Sequence, residues 1–279
     1  MAVPVSPLDS DRMGTVMGIL NVTPDSFSDG GRFLDHVAAL EHGRQLIDEG
    51  ASIVDVGGES TRPGAAPVGV DEELARVLPV VAGLADDVRV SIDTRHEAVA
   101  RAAVASGASM VNDVSAGLGG VAAELGVGWV AMHMLGDPRT MQDEPRYDDV
   151  VAEVRDFLVG RAERAADLGV SEVWIDPGIG FGKDTAHNLE LLARIDELVA
   201  TGWPVVVGVS RKRFLGVLTA ASDAGHGSVP HHDGNVRATP VDDRREGSVA
   251  VAAWAYSRGV GMVRAHDVRA TVRAARVVA

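Results

Sequence analysis

Eight short apolar runs recur along this chain, at 15–20, 52–56, 88–92, 109–111, 129–132, 172–175, 204–209 and 261–264. The segments between them place apolar residues three and four apart, as in Val37, Leu40, Leu46 and Ile47, or Val150, Val154 and Leu158. That is the period of a helix with one buried face. Strands that alternate with helices run parallel, because each helix carries the chain back to the end it left. Eight such units close a parallel sheet on itself, so the expected fold is α/β, a single (β/α)8 TIM barrel with its active site at the C-terminal face of the strands. Gly50, Gly107 and Gly169 each stand between a helical stretch and the next strand, where a helix C-cap glycine belongs. A doubly wound sheet would have fewer strands and a Gly-x-Gly-x-x-Gly turn after the first. Here the first run leads instead into the long polar loop Asn21-Val-Thr-Pro-Asp25-Ser-Phe27-Ser-Asp-Gly-Gly31.

Residues 1–13 show neither period and read as a flexible tail before a barrel spanning 14–279. The rhythm breaks at 221–246, a stretch rich in Gly, Pro, His and Asp that reads as a long solvated loop excursion. His226, His231 and His232 lie in it and suggest a metal cluster less well than they suggest a polar loop. Hydrophobic residues make up 46% of the chain and aromatics only 4%, so the core is aliphatic, as inward-facing barrel strands prefer. A net charge of −14 argues against nucleic-acid or anionic-membrane partners, so an anionic substrate needs local cations. No stretch reaches the roughly 18 unbroken apolar residues of a membrane span, and the N-terminus lacks the pattern of a secretory leader. A soluble, cytoplasmic protein is expected. With no cysteine, disulfides, thiolate nucleophiles and cysteine-bound metals are excluded.

Of 26 cationic Lys and Arg side chains only Lys183 and Lys212 are lysines. A compact three-hydrogen ammonium is not interchangeable with a planar guanidinium fork, so the two survivors mark candidate ligand positions. Both follow strand-like runs through turns, Lys183 at the end of Asp176-Pro-Gly178-Ile-Gly180-Phe181-Gly182-Lys183 and Lys212 in Gly208-Val-Ser210-Arg211-Lys212. The glycine-rich turn puts Lys183 nearer the rim than the base of the pocket, so it is expected to matter less than Lys212.

Every predicted strand delivers polar groups at its C-terminal end. They are Asn21; Asp55 with Glu59, Thr61 and Arg62; Asp93; Asn112 and Asp113; His133; Asp176; Ser210, Arg211 and Lys212; and Arg264 with His266. Asp113, Glu59 and His133 fit capped turns or satisfied core groups as well as they fit a site. The cations of strands seven and eight fall where barrels commonly bind phosphate, so Arg264, His266 and Asn21 suggest an anion and metal-phosphate site. Asn21 alone is a poor metal ligand, which suits Mg²⁺ held mainly by diphosphate and water. Asp176, Asn112 and Asp93 offer acceptors for a flat heterocycle with several N–H donors, and Lys212 offers the complementary donor. A pterin has both edges.

With these motifs in order, together with Gly18-Ile-Leu-Asn21, Asp55-Val-Gly-Gly-Glu59-Ser-Thr61-Arg62-Pro63-Gly64, Asp93-Thr, Met132-His-Met134 and Arg264-Ala-His266-Asp267, the chain resembles the dihydropteroate synthase family of folate biosynthesis. The resemblance runs from Gly18 to Val268. It implies condensation of a 6-hydroxymethyl-7,8-dihydropterin diphosphate with 4-aminobenzoate, with Mg²⁺ as cofactor, a homodimer, and inhibition by sulfonamides. Carried over residue by residue, it implies a pterin site of Asp93, Asn112, Met132, Asp176, Phe181, Gly208 and Lys212. Asn21, Thr61, Arg62, Arg264 and His266 would hold diphosphate, with Asn21 on the metal. Phe27, Thr61, Arg62, Pro63, Phe181, Ser210 and Lys212 would shape the aminobenzoate site, and Asp93, Asp176 and Lys212 would carry the chemistry. The implied route is dissociative, with the negative charge of Asp93 near the pterin cation. The loops at 21–31 and 59–68 hold few anchoring apolar groups and are expected to be mobile without ligand. Ser248 stands where that family often has threonine, and 221–246 is longer than usual. The alternatives are a pterin-binding domain of a methyltransferase and a paralogue that binds pterin without condensing it.

Overall fold

The computed structural model describes residues 14–23, 32–60, 67–137, 140–225 and 238–278. Phe27, Thr61, Arg62, Pro63 and the histidines at 226, 231 and 232 lie outside these residues. The strands are β1 (Thr15–Asn21), β2 (Ile53–Gly57), β3 (Arg89–Asp93), β4 (Met110–Asp113), β5 (Gly128–Met132), β6 (Val173–Asp176), β7 (Val206–Gly208) and β8 (Met262–Ala265). Around them lie α1 (Arg32–Asp48), α2 (Val70–Leu84), α3 (Glu97–Ala105), α4 (Gly119–Leu125), α5 (Val150–Asp167), α6 (Thr185–Ala193), α7 (Ile195–Val199), α8 (Arg213–Asp223), α9 (Arg245–Ser257) and α10 (Val268–Val278).

The strands form one eight-stranded sheet in the order β6-β5-β4-β3-β2-β1-β8-β7, and every pairing is parallel. The two ends meet where Ile175 bridges Val205 and its N–H donates to the Pro204 carbonyl at 2.9 Å, so the sheet is a nearly closed barrel. All eight expected strands are present. The seventh is shorter than its apolar run, because Pro204 has no N–H to give and Val205 makes only that single bridge.

Two apolar layers hold the barrel. The larger lies between strands and helices and includes Leu20, Val54, Ile92, Val111 and Ile175 from the sheet, with Leu84, Val99, Leu158 and Leu191 from the helices. Each fully buried aliphatic side chain of this kind contributes about 1.5–3 kcal/mol. The smaller layer fills the barrel interior with Met17, Ile53, Met110, Val130, Trp174, Val206 and Met262. At its N-terminal end Arg89 makes a bidentate pair with Glu172, at 2.6 and 2.9 Å, and the Trp174 indole N–H donates to the same carboxylate at 2.9 Å.

Helix ends follow local chemistry. The Asp149 carboxylate caps α5 by accepting from the N–H groups of Val151 and Ala152, both at 3.0 Å, an arrangement worth about 1 kcal/mol. Gly50, Gly107 and Gly169 have φ of +102°, +112° and +98° between their helices and the following strands, as the sequence led us to expect. The excursion read at 221–246 is bounded by helix at both ends. Residues 221–223 complete α8, while a 3-10 turn at Val241–Arg244 leads straight into α9. Among the described residues no helix is long and apolar enough to cross a membrane.

Candidate active site

Strand pleating builds the site from the sequence. Side chains two residues apart share a face of a strand, so the residue two beyond each member of the inner apolar layer also points inward, one step nearer the C-terminal mouth. From Ile53, Met110, Val130, Trp174, Val206 and Met262 that step arrives at Asp55, Asn112, Met132, Asp176, Gly208 and Arg264. Strand β3 follows the same register, with Gly57 opposite Asp93 and Asp93 opposite Asn112. An apolar floor is therefore topped by a layer whose polar members are Asp55, Asp93, Asn112, Asp176 and Arg264.

One side of this layer is an acceptor facing a donor. Asp176 is buried, and its Oδ1 accepts the Gly178 N–H at 2.7 Å. Burial raises its pKa against the pull of Lys212. The Lys212 ammonium donates to the Ile179 carbonyl and sits 4.3 Å from the centre of the Phe181 ring. Burial pushes it down to about 8, with Asp176 opposing. Gly208 leaves open the space between Asp176 and Arg264: a Cβ there would lie 3.8 Å from Asp176 Oδ2 and 3.9 Å from the Arg264 Cβ. Gly178 has φ +64°, and a Cβ on it would fall 1.8 Å from the His133 carbonyl, so no other residue fits that turn.

The other side is a charge network. Arg264 donates from Nε to Asp55 Oδ2 at 2.6 Å and from Nη2 to Asp93 Oδ2 at 2.7 Å, and the Asn112 amide donates to the same Asp55 oxygen at 2.9 Å. Burial opposes the charge on Arg264, but Asp55 and Asp93 outweigh it and hold its pKa above the ordinary value. Asp93 is pushed up to about 7 by burial, with Arg264 pulling down and Asp55 pushing up. Burial thus works against the charge that the resemblance assigns to Asp93. Arg264 likewise differs from an open phosphate cation, since two carboxylates already engage it.

At the rim, the Ser210 hydroxyl accepts the His266 backbone N–H at 3.1 Å and meets its Nδ1 at 3.0 Å, joining β7 to β8. Asn21 ends β1, which pairs with β8 as far as Gly18 opposite Ala265.

Residues 17–266 match the family model described as "Pterin binding enzyme". The chain belongs to the pterin-binding enzyme family. It is 48% identical over 272 residues to the dihydropteroate synthase of Mycobacterium leprae, covering 94% of this chain and 92% of that one. Its fold is similar to that of Xanthomonas albilineans dihydropteroate synthase with 4-aminobenzoic acid, with a TM-score of 0.82, 47% identity, and coverage of 95% and 91%. The Yersinia pestis dihydropteroate synthase in a sulfonamide drug complex gives a TM-score of 0.83 at 41% identity, covering 95% and 93%.

Within this pterin-binding barrel several strand-end groups prove structural. Lys183 is not near the rim: it is 1% exposed, and its ammonium donates to His133 Nδ1 at 2.9 Å and to the carbonyls of Phe181 and Gly178 at 3.0 and 3.1 Å. The glycines of the turn fold the chain back over it instead of carrying it outward. His133 is buried against Phe157 and pushed down to about 3 by burial and by Lys183, so it stays neutral and accepts. Asp113 accepts from the N–H groups of Ser115 and Leu118, the Ser115 hydroxyl and the Trp129 indole, which consumes its carboxylate in the β4 turn. Arg211 leaves the site for Asp267, at 2.8 and 3.0 Å, from a backbone with φ +58°.

Among the described residues one group brings three potential metal ligands together, Glu59, Glu73 and His96, with atoms within 4.8 Å of one another. Arg95 holds Glu59 at 3.0 and 3.1 Å, and His96 Nδ1 meets Glu73 at 2.7 Å, so each of these groups already has a partner. Sequence reasoning named Asp55 and Ser248 but gave neither a role in the site, and it did not reach the Ile179 carbonyl. Asp55 alone had a readable signal, since it stands two residues after the inward Ile53.

Proposed function

We propose that the protein is a dihydropteroate synthase, joining 6-hydroxymethyl-7,8-dihydropterin diphosphate to 4-aminobenzoate to give 7,8-dihydropteroate and diphosphate. The observation that carries this is the buried Asp176 carboxylate, which borders the open space at Gly208 and lies within electrostatic reach of the Lys212 ammonium, with Asp93 and Asn112 paired in the same layer. An amidine-like N–H edge pairs with a carboxylate, and the carbonyl and ring-nitrogen edge takes the ammonium. The match to synthases over most of the chain supports the same reaction.

In the proposed route the carbon–oxygen bond to diphosphate breaks first and the diphosphate leaves with the electron pair. The aryl amine nitrogen then forms the new carbon–nitrogen bond and loses a proton. A weak nucleophile gains most from stabilising charge as it develops. Pterin N–H donors and a developing cation both favour ionised Asp93, so its raised pKa is lowered as substrate binds. Arg264, fixed by Asp55, keeps Asp93 in place and has Nη1 left for a leaving oxygen. Asn21, Thr61, Arg62 and His266 complete the diphosphate site. Phe27, Thr61, Arg62, Pro63, Phe181, Ser210 and Lys212 line the aminobenzoate site, which also takes sulfonamides.

A neutral Asn21 oxygen, in register with Gly57 and through it with Asp93, would suit Mg²⁺ held mainly by water and diphosphate. The chemistry that Mg²⁺ would supply there is neutralisation of charge on the diphosphate. The protein is also proposed to be a homodimer, which light scattering tests. A coupled assay of dihydropteroate formation, with and without Mg²⁺, tests the main reading. Product that depends on both substrates supports it. A folded protein that binds pterin without forming product is the silent paralogue instead.

A further inference from the structure

Lys183 occupies a site built for an ammonium. Three donors meet His133 Nδ1 and the carbonyls of Phe181 and Gly178 at 2.9–3.1 Å, inside the turn that links β6 to α6. The rest of that turn is pinned from other directions. Gln142 donates to the Gly180 carbonyl at 2.8 Å, Asn188 accepts the Gly180 N–H at 2.6 Å, and the Tyr147 hydroxyl donates to the Gly182 carbonyl at 2.7 Å. The carbonyl of Ile179 points elsewhere, to Lys212. Lys212 therefore takes its place from two parts of this turn, the Ile179 carbonyl and the Phe181 ring, and both neighbour residues that Lys183 holds from within.

We propose that Lys183 is a positioning residue that acts through the 178–181 turn to set the placement and ionisation of Lys212. This rests on the synthase reading for what Lys212 binds, but not for the linkage itself. A guanidinium fork cannot satisfy three acceptors arranged around one nitrogen, which explains a lysine here in a chain that otherwise uses arginine. The charged and titratable groups facing Lys183 are His133, Asp176 and Lys212, with the Tyr147 ring 6.0 Å away. Those facing Lys212 are Asp176, Arg264, Asp93 and Lys183 itself. Burial, and after it Lys212, pushes Lys183 down to about 7, so the two ammonium groups disfavour one another. Removing Lys183 relieves this and moves Lys212 upward, toward the ordinary lysine value.

Because the chain has two lysines, protein labelled with ¹³C and ¹⁵N only at lysine gives two side-chain ammonium signals, and Lys183→Met leaves one. The variant is expected to displace the Lys212 signal, raise its titration midpoint by roughly one unit, and weaken binding of pterin about tenfold. A Lys212 signal and midpoint identical to wild type in the folded variant would overturn the proposal. Two further arms hold if that variant loses its fold. Pterin titrated into the wild-type protein should shift the buried Lys183 signal together with that of Lys212, and a Lys183 signal that stays put refutes the linkage. Phe181→Leu, which leaves every acceptor of Lys183 in place, should displace the Lys212 signal, and an unmoved signal breaks the second link. Failure of wild-type turnover counts against the synthase reading alone, since these signals are read without catalysis.

Discussion

Arg264 Nε lies 2.6 Å from Asp55 Oδ2, tying β8 across β1 to β2 directly beneath the mouth of the barrel. Asp55 is fully buried, and among the described residues its other oxygen has no partner and the carboxylate is held by Arg264 and Asn112. Asp55→Asn leaves Arg264 with Asp93 as its one carboxylate and is expected to cost about 1–3 kcal/mol. Asp55 also pushes the Asp93 pKa upward, so its neutralisation should lower the Asp93 midpoint. Chemical denaturation and carboxyl-carbon NMR measure the two effects, and an Asp93 midpoint that stays or rises refutes the coupling.

Gly208 separates stability from binding. A Cβ there meets protein atoms no closer than 3.8 Å, an ordinary contact, so Gly208→Ala should alter stability by no more than about 1 kcal/mol. The same methyl group stands between Asp176 and Arg264, where the pterin is proposed to lie. Calorimetry should then find pterin binding at least about tenfold weaker, a loss of about 1.4 kcal/mol or more. Unchanged affinity in the folded variant would move the pterin elsewhere.

Asp93 should make the ligand-free protein sensitive to pH. A folded pKa of about 7, raised from 3.8, means that its favourable contribution is complete below about pH 4 and is lost as pH rises through 7. Asp93→Asn mimics the protonated form and does not titrate. Its stability relative to wild type should therefore be level below about pH 4 and improve steadily to above pH 7. Thermal denaturation across that range tests the sign, and a relative stability that falls with rising pH rules it out.

Ser248 holds the turn that presents Lys212. Its hydroxyl accepts the Arg211 N–H at 2.9 Å and donates to the Arg244 carbonyl at 2.6 Å. Ser248→Ala removes both bonds and should cost about 1–3 kcal/mol, whereas Ser248→Thr keeps the hydroxyl and should stay near wild type. Equal stability of the Ala and Thr variants would show that the hydroxyl contributes nothing.

What could be read along the chain was whatever local repetition encodes. Alternating strand and helix periods imply eight parallel strands, and parallel strands put all their C-terminal ends on one face, so local pattern alone gathers Asp93, Asn112, Asp176, Lys212 and Arg264. The same logic was blind to what each group does with its neighbours. Lys183 and Lys212 look alike in sequence, each following a glycine-bearing turn. One is sealed under its turn by three acceptors, and the other stands over it on the pocket side.

Asp55 and Asp93 show the same division. Strand period places both on the inward face, but their shared Arg264 comes from more than 170 residues further along the chain. Pairing and ionisation depend on distance, burial and the loss of water, and these arise only once the barrel closes. The sequence by itself determined the architecture and the roster of polar groups at the mouth, because side-chain period and strand direction are local properties. Only the tertiary structure decided which of them are spent on one another and which face the ligand space, because electrostatic and hydrogen-bond partners are chosen across strands that are distant in the chain.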